Sequence, residues 1–364
     1  MNKNLKIILW IFFIGLIALA SCSLRPLKNL QNNESENTED IDSDLIVVGF
    51  SQLGSESDWR TANTKSIQNA LTEENGFSLI FSNGRQSQEN QIKDVRSFIF
   101  QEVDYIIIAP VTETGWDTVL DEAREAGIPV IIVDRMIDTE DENLYVACVG
   151  TDKYAEGEKA GLWLEKYLEE QKSEDNASQE NESLSEETAS QEENGQNTDI
   201  INIVVLEGTL NSTAQIGRSK GFEDIAGRYE NWNILAHDSG DFTKAKGKEI
   251  MVKFLQEFDD IDILVSQNDD MTFGAIEAIQ EAGLTCGVNG KITVISFDAV
   301  SEAFDMMEDG FINVDIECNP LQGPLIAEII EHLEKGEEVD KVSYVEEKVF
   351  EAGNAGIERI GRSY

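Results

Sequence analysis

Short apolar runs alternate with amphipathic stretches along most of this chain, and that alternation leaves few folds open. Ile46–Phe50, Ser78–Phe81, Tyr105–Ile108, Ile128–Val133 and Leu144–Val149 have strand length and strand composition. Between them, the stretches at 59–75, 89–101 and 115–126 carry apolar residues at helical spacing. The pattern resumes with helices at 153–170, 213–228 and 243–257 and strands at Ile201–Leu206 and Asn233–Ala236. Ile263–Val265 and Thr293–Ile295 follow, flanked by helices at 271–282 and 322–335. Strand–helix repeats of this kind build parallel sheets covered on both faces, so the fold class is α/β. A length of 364 residues suits two such domains, at about 100–200 residues each.

What ends the strands is as informative as the strands themselves. The first run leads into Ser51-Gln52 and then Glu56-Ser57-Asp58-Trp59-Arg60; the fourth stops at Asp134-Arg135. In the second half, Val265 is followed by Ser266-Gln267-Asn268-Asp269, and Ile295 by Ser296-Phe297-Asp298. Open α/β sheets bind ligands at the carboxyl ends of their strands. Trp59 offers a flat face for the C–H side of a sugar ring. Arg60, Arg135 and Arg218 offer donor forks, Asp134 and Asp298 accept from hydroxyls, and Asn268 does both. Together these groups describe a cleft for a small, hydroxyl-rich ligand.

The formal net charge of −43 argues against nucleic acid and against an anionic membrane surface, since both need clustered Lys and Arg. It reads as a solvated acidic exterior. Lys3 and Lys6, the apolar run Ile7–Ala20 and Leu19-Ala20-Ser21-Cys22 form a secretory signal that resembles a bacterial lipobox, with Cys22 the lipidated residue. Residues 1–22 are therefore signal peptide, and the polar stretch 23–43 a flexible tether. Of the other cysteines, Cys148, Cys286 and Cys318 cannot all pair, and they read as buried small residues with no metal spacing. Residues 171–198, rich in Glu, Ser, Asn and Gln, read as a disordered acidic insertion in a surface loop.

The ordered set Gly49–Arg60, Gln88–Lys93, Ile108–Val111, Val133-Asp134-Arg135, Gln267–Met271 and Ser296-Phe297-Asp298 resembles the type I sugar-binding proteins of ABC transporters. The likeness extends over about 45–362, apart from the insertion, and the Ser-Glu-Ser-x-Trp-Arg start looks most like the galactofuranose-binding branch. It implies two doubly wound parallel-sheet lobes joined by a three-segment hinge. One lobe would be 44–150 plus 319–341, and the other 151–318 plus 342–364. It also implies that Glu56, Ser57, Asp58, Trp59 and Arg60 line the first loop, and that Asp134, Arg135, Arg218, Asn268 and Asp298 complete the site. Asp58 departs from the small residue usual in that branch. The function implied is extracytoplasmic capture of a monosaccharide, galactofuranose-like or another aldose, or of a short glycan end, by a lipid-anchored monomer serving an ABC permease. No cofactor, metal or nucleic acid is called for.

Each residue also has a plainer reading. Asp134 and Arg135 can be a strand-end ion pair, Trp59 a core residue, and Arg218 a solvated helix residue. Asn268 or Asp269 can cap the helix near Met271, and Asp298 the helix at 301–307. An enzyme is disfavoured: His237 and His332 are the only histidines, and neither adjoins a nucleophile. A sugar-sensing lipoprotein that signals occupancy to a membrane receptor or kinase is the alternative of a different class.

Overall fold

A computed structural model describes residues 45–55, 57–183 and 200–364, with 174–183 described as backbone helix only. The signal segment with Cys22, the tether, Glu56 and residues 184–199 lie outside the described residues.

The first half runs β1 (Ile46–Gln52), α1 (Asp58–Ala70), β2 (Phe77–Asn83), α2 (Gln88–Phe100), β3 (Tyr105–Ile108), α3 (Asp117–Glu125), β4 (Val130–Asp134) and β5 (Ala147–Gly150). The second runs α4 (Lys153–Ser183), β6 (Ile201–Glu207), α5 (Thr213–Ala226), β7 (Trp232–Ser239), α6 (Lys244–Glu257), β8 (Ile263–Ser266), α7 (Asp269–Glu281), β9 (Thr293–Asp298), α8 (Ser301–Glu308) and β10 (Val314–Glu317). The chain then adds α9 (Gly323–Glu334), β11 (Val342–Tyr344), β12 (Val349–Glu351) and α10 (Ala355–Glu358).

Two six-stranded sheets result, ordered β11-β5-β4-β3-β1-β2 and β12-β10-β9-β8-β6-β7. Within each, the first five strands of the half take the order 2-1-3-4-5, although no sequence repeat announces it. All pairings are parallel except that of β12 with β10. Alternate residues of each strand feed separate cores on the two faces. Val48 and Phe50 pack under α9 with Ile326 and Ile330, while Ile106 and Ile108 pack with Val95, Phe98 and Trp116.

The chain passes between the sheets three times: after β5, after β10 and after β11. β11 pairs with β5 from Val342 to Tyr344, which holds these residues in the first lobe. The third passage is therefore at 345–348, a few residues later than the expected 342. A second departure concerns α4, expected to end at 170 and observed to run to Ser183. Residues 171–183, expected as the start of a disordered stretch, are its last turns, and their Glu, Gln, Lys and Ala are good helix formers that need no buried face.

Candidate functional site

The carboxyl ends of both sheets face one small cavity, lined by Ser57, Trp59, Arg60, Asp134, Arg135, Lys153, Ala214, Arg218, Phe242, Asn268, Asp298 and Cys318. About 20 Å³ of it can hold the centre of a water molecule, room for one or two waters.

The two lobes build their shares by the same device. In the first, Arg60 lies on α1, the helix after the first strand, and its Nη2 donates to Asp134 Oδ2 at 2.6 Å at the end of the fourth strand. In the second, Arg218 lies on α5, the helix after that lobe's first strand, and its Nη2 donates to Asp298 Oδ1 at 3.1 Å, again ending the fourth. Both aspartates have left-handed backbone, φ 65° for Asp134 and 108° for Asp298. For a residue other than glycine this is uncommon, and it turns the carboxylate off the strand line toward the cavity.

Ser57 caps α1, its hydroxyl accepting from the Arg60 N–H at 3.1 Å, so that the helix opens with its donors beside the cavity. Trp59 is buried among second-lobe side chains, and its indole N–H donates to the Cys318 carbonyl. The Arg60 guanidinium lies 4.7 Å from the Trp59 ring centroid. Arg135 donates to the Val111 carbonyl at 3.2 Å and lies 5.4 Å from the Phe242 ring centroid, reaching across the cleft. Asn268 caps α7, its Oδ1 accepting from the Met271 N–H at 3.0 Å, while its amide donates to the Phe242 carbonyl at 3.3 Å. Asp269 instead anchors the loop after β9, accepting from Ser296 Oγ at 2.5 Å and from the Val300 N–H at 2.9 Å.

Of the residues expected from sequence, Ser57, Trp59, Arg60, Asp134, Arg135, Arg218, Asn268 and Asp298 are brought together. Glu56 lies outside the described residues. Asp58 is not brought to the cavity: it is exposed, lines a separate groove with Lys65 and Tyr364, and its N–H donates to Asp270 Oδ2 at 3.1 Å. Successive helical residues diverge by about 100°, so with Trp59 and Arg60 turned inward Asp58 faces out. The solvated reading of Arg218 does not hold, since it is 2 % exposed, and Asp298 does not cap α8, whose cap residue is Val300.

Lys153, Ala214, Phe242 and Cys318 are the lining residues not expected from sequence, and of these Lys153 and Phe242 add a charge and an aromatic face. Lys153 opens α4 just past the first passage, and its Nζ lies 3.2 Å from Asp134 Oδ1, 3.4 Å from Glu156 Oε1 and 2.9 Å from Cys318 Sγ. A signal was available, because a cation in a helix's first turn opposes the helix dipole and needs some other partner. Phe242 has no such mark. Its left-handed backbone, φ 58°, appears only in three dimensions.

Burial alone would raise the Asp134 carboxyl, but Arg60, Lys153 and Arg135 around it hold it well below the usual carboxylate range. Burial likewise opposes the Lys153 charge, and Cys318, Glu156 and Asp134 outweigh it, so the amine stays protonated. Arg218 makes its shorter contact, 2.6 Å, to Glu156, and burial pushes the Asp298 carboxyl up. Glu156, Cys318 and Glu347 have ligand atoms within 4.8 Å of one another, but Lys153 and Arg218 already supply the positive charge a metal would bring. His237 and His332 are both absent from the cavity lining. The arrangement presents charged donors, acceptors and two aromatic faces, groups suited to a neutral polyol.

Residues 48–338 match the model of the periplasmic binding protein domain. The galactofuranose-binding protein YtfQ of Escherichia coli is 38 % identical over 309 residues, 84 % of this chain and 87 % of that protein. The periplasmic binding component of the arabinose ABC transporter from Shewanella sp. ANA-3, bound to alpha and beta-L-arabinofuranose, superposes with a TM-score of 0.75 at 38 % identity, covering 86 % of this chain and 94 % of that one. A crystal structure from Mycobacterium smegmatis in complex with beta-D-fucofuranose gives a TM-score of 0.76 at 37 % identity, covering 87 % and 94 %. With the two-lobed α/β architecture and the interlobe cavity, this establishes that the chain belongs to the type I periplasmic sugar-binding protein family.

Proposed function

We propose that this protein captures a furanose, or a closely similar aldose, between its lobes and delivers it to an ABC permease. Family members work outside the cytoplasm, and the named relatives are binding proteins, not enzymes. No described helix is long and apolar enough to cross a membrane. In this reading Cys22 carries the lipid that holds the protein at the membrane, and the protein acts as a monomer with no cofactor.

The observation that carries the reading is the mirrored Arg60–Asp134 and Arg218–Asp298 pairing at one cavity, with Trp59 beside it. Asp134, Arg135, Arg218, Asn268 and Asp298 would bond the sugar hydroxyls, and Trp59 would stack on the ring. The cavity is smaller than a sugar, so capture requires the lobes to part and close again about their three connections. Closure removes water from the charged contacts, which are worth about 1.5–3 kcal/mol each.

Calorimetric titration of the chain from residue 45 onward with galactofuranose, arabinofuranose, galactose and ribose tests this. Saturable binding to the furanoses, micromolar or tighter and without turnover, is expected; about −8 kcal/mol corresponds to micromolar. Silence across the panel, or hydrolysis of a furanoside, would remove the reading.

A further inference from the structure

Outside the cavity, at the mouth of the cleft, lies a far larger groove of about 670 Å³. That is within the range of about 300–1,000 Å³ typical of ligand pockets. We propose that this groove is a second sugar subsite, so that the ligand is a furanose joined to a further neutral sugar unit, the furanose in the cavity and its neighbour in the groove. The inference rests on the furanose reading of the cavity.

The groove is made by both lobes at matching places. Arg85 and Gln86 come from the connection after β2, and Asp241 from the connection after β7; these are the edge strands beside β1 and β6 in the two sheets. Arg85 and Gln86 have φ 53° and 60°, and Asp241 and Phe242 have φ 49° and 58°. Two consecutive left-handed residues without a glycine are unusual once. Here such pairs stand at equivalent positions in the two lobes, and both reach the same groove and its partition. Backbone of this kind persists only where the surroundings fix it, and it clusters at ligand sites. The surroundings do fix it: the Gln86 N–H donates to the Leu53 carbonyl at 2.7 Å, the Arg85 N–H to Asn83 Oδ1 at 2.8 Å, and the Phe242 ring lies over Gly208.

A thin partition separates groove from cavity. Phe242 lines the cavity while its neighbours Asp241 and Thr243 line the groove. Arg135, against the Phe242 ring, donates to the carbonyl of Val111, which lines the groove. A ligand passing between Phe242 and Val111 would have one unit on each side. The groove's chemistry suits a hydroxyl-bearing unit: Lys246 is paired with Asp241, Arg85 adds a charged donor fork, and Asn83, Gln86 and Thr209 add neutral donors and acceptors.

The test compares arabinofuranose and galactofuranose with differently linked arabinofuranosyl and galactofuranosyl disaccharides by calorimetry. The proteins are the wild type, Arg85→Asn and Asp241→Asn, since Asn tolerates left-handed backbone and keeps both turns. We expect at least one disaccharide to bind the wild type tenfold or more tighter than its monosaccharide. Both variants should lose most of that gain while binding the monosaccharide as the wild type does. Wild-type protein that binds the monosaccharide but no disaccharide more tightly overturns the subsite and leaves the cavity reading standing. A gain that both variants retain also overturns it, because the second unit then lies elsewhere. Failure of every sugar to bind overturns the cavity reading and this one with it.

Discussion

Arg135 has the most exposed role of the cavity residues, because it belongs to the first lobe and packs against Phe242 of the second. Its neighbours Arg60 and Arg218 each have a carboxylate at hydrogen-bond distance within their own lobe, whereas Arg135 Nε is 3.9 Å from Asp134 Oδ2. Arg135 also lines the cavity, where its charged fork can bond a ligand hydroxyl. Arg135→Ala should therefore weaken furanose binding at least tenfold, since one charge-assisted hydrogen bond is worth more than the ~1.4 kcal/mol that a factor of ten represents. Calorimetry on a variant whose thermal unfolding matches the wild type is the check; near-native affinity would take Arg135 out of the site. The same scale shows how far the residues announced themselves. The strand-end polar residues were legible because strand termination is written in composition. Lys153 could be marked as needing a partner but not placed, because Asp134 and Cys318 are distant in sequence, and Asp58 was misplaced because a loop motif does not reveal which residue begins the helix.

At the scale of elements, α4 and α5 fix Glu156 and Arg218 against each other through glycines. A Cβ on Gly221 would stand 2.2 Å from the Tyr154 carbonyl oxygen and 2.7 Å from the Glu158 nitrogen, and one on Gly157 would stand 2.3 Å from the Arg218 carbonyl oxygen. The helices thus cross backbone against backbone, which brings Arg218 Nε within 2.6 Å of Glu156 Oε2. Gly221→Ala has no flexible side chain to displace and must part the helices, at a cost of about 1–3 kcal/mol. Because Arg218 rides on α5, sugar affinity should fall with stability, although residue 221 does not line the cavity. Denaturant unfolding and titration of the same sample check both. A loss of stability with unchanged affinity would mean that the position of α5 does not set the site. The helices and strands themselves were readable from periodicity, as was their α/β alternation. The shared 2-1-3-4-5 order was not, because strand order is decided by which edges meet, and no local pattern records that.

Across the whole molecule, the three passages between the lobes converge on one buried cluster. Thr151, Lys153 and Glu156 come from the first, Cys318 from the second and Glu347 from the third, and Thr151 Oγ1 donates to Glu156 Oε1 at 2.6 Å. Burial opposes the Glu156 charge, yet Arg218 and Lys153 outweigh it and bring its pKa down to about 2. Glu347, whose side chain is 4 % exposed, is pushed up to about 9, first by burial and then by the charge on Glu156. At neutral pH the pair therefore holds one proton, on Glu347. Between its ordinary value near 4.5 and about 9, the folded chain keeps a proton that the unfolded chain has released. Stability contributed by this proton is thus full below about pH 4.5, falls as pH rises through that window, and is level above it. Glu347→Gln keeps the shape and removes the titration. Wild type and variant should be about equally stable at pH 4.5, and by pH 9 the variant should be the more stable by about 1–3 kcal/mol. Other raised carboxyls, such as Asp315, titrate in the same window but are common to both proteins, so the difference isolates Glu347. Urea unfolding at the two pH values reads it. Curves that stay parallel would place the proton elsewhere, and the hinge cluster would then carry a fixed charge through the whole range in which the lobes open and close.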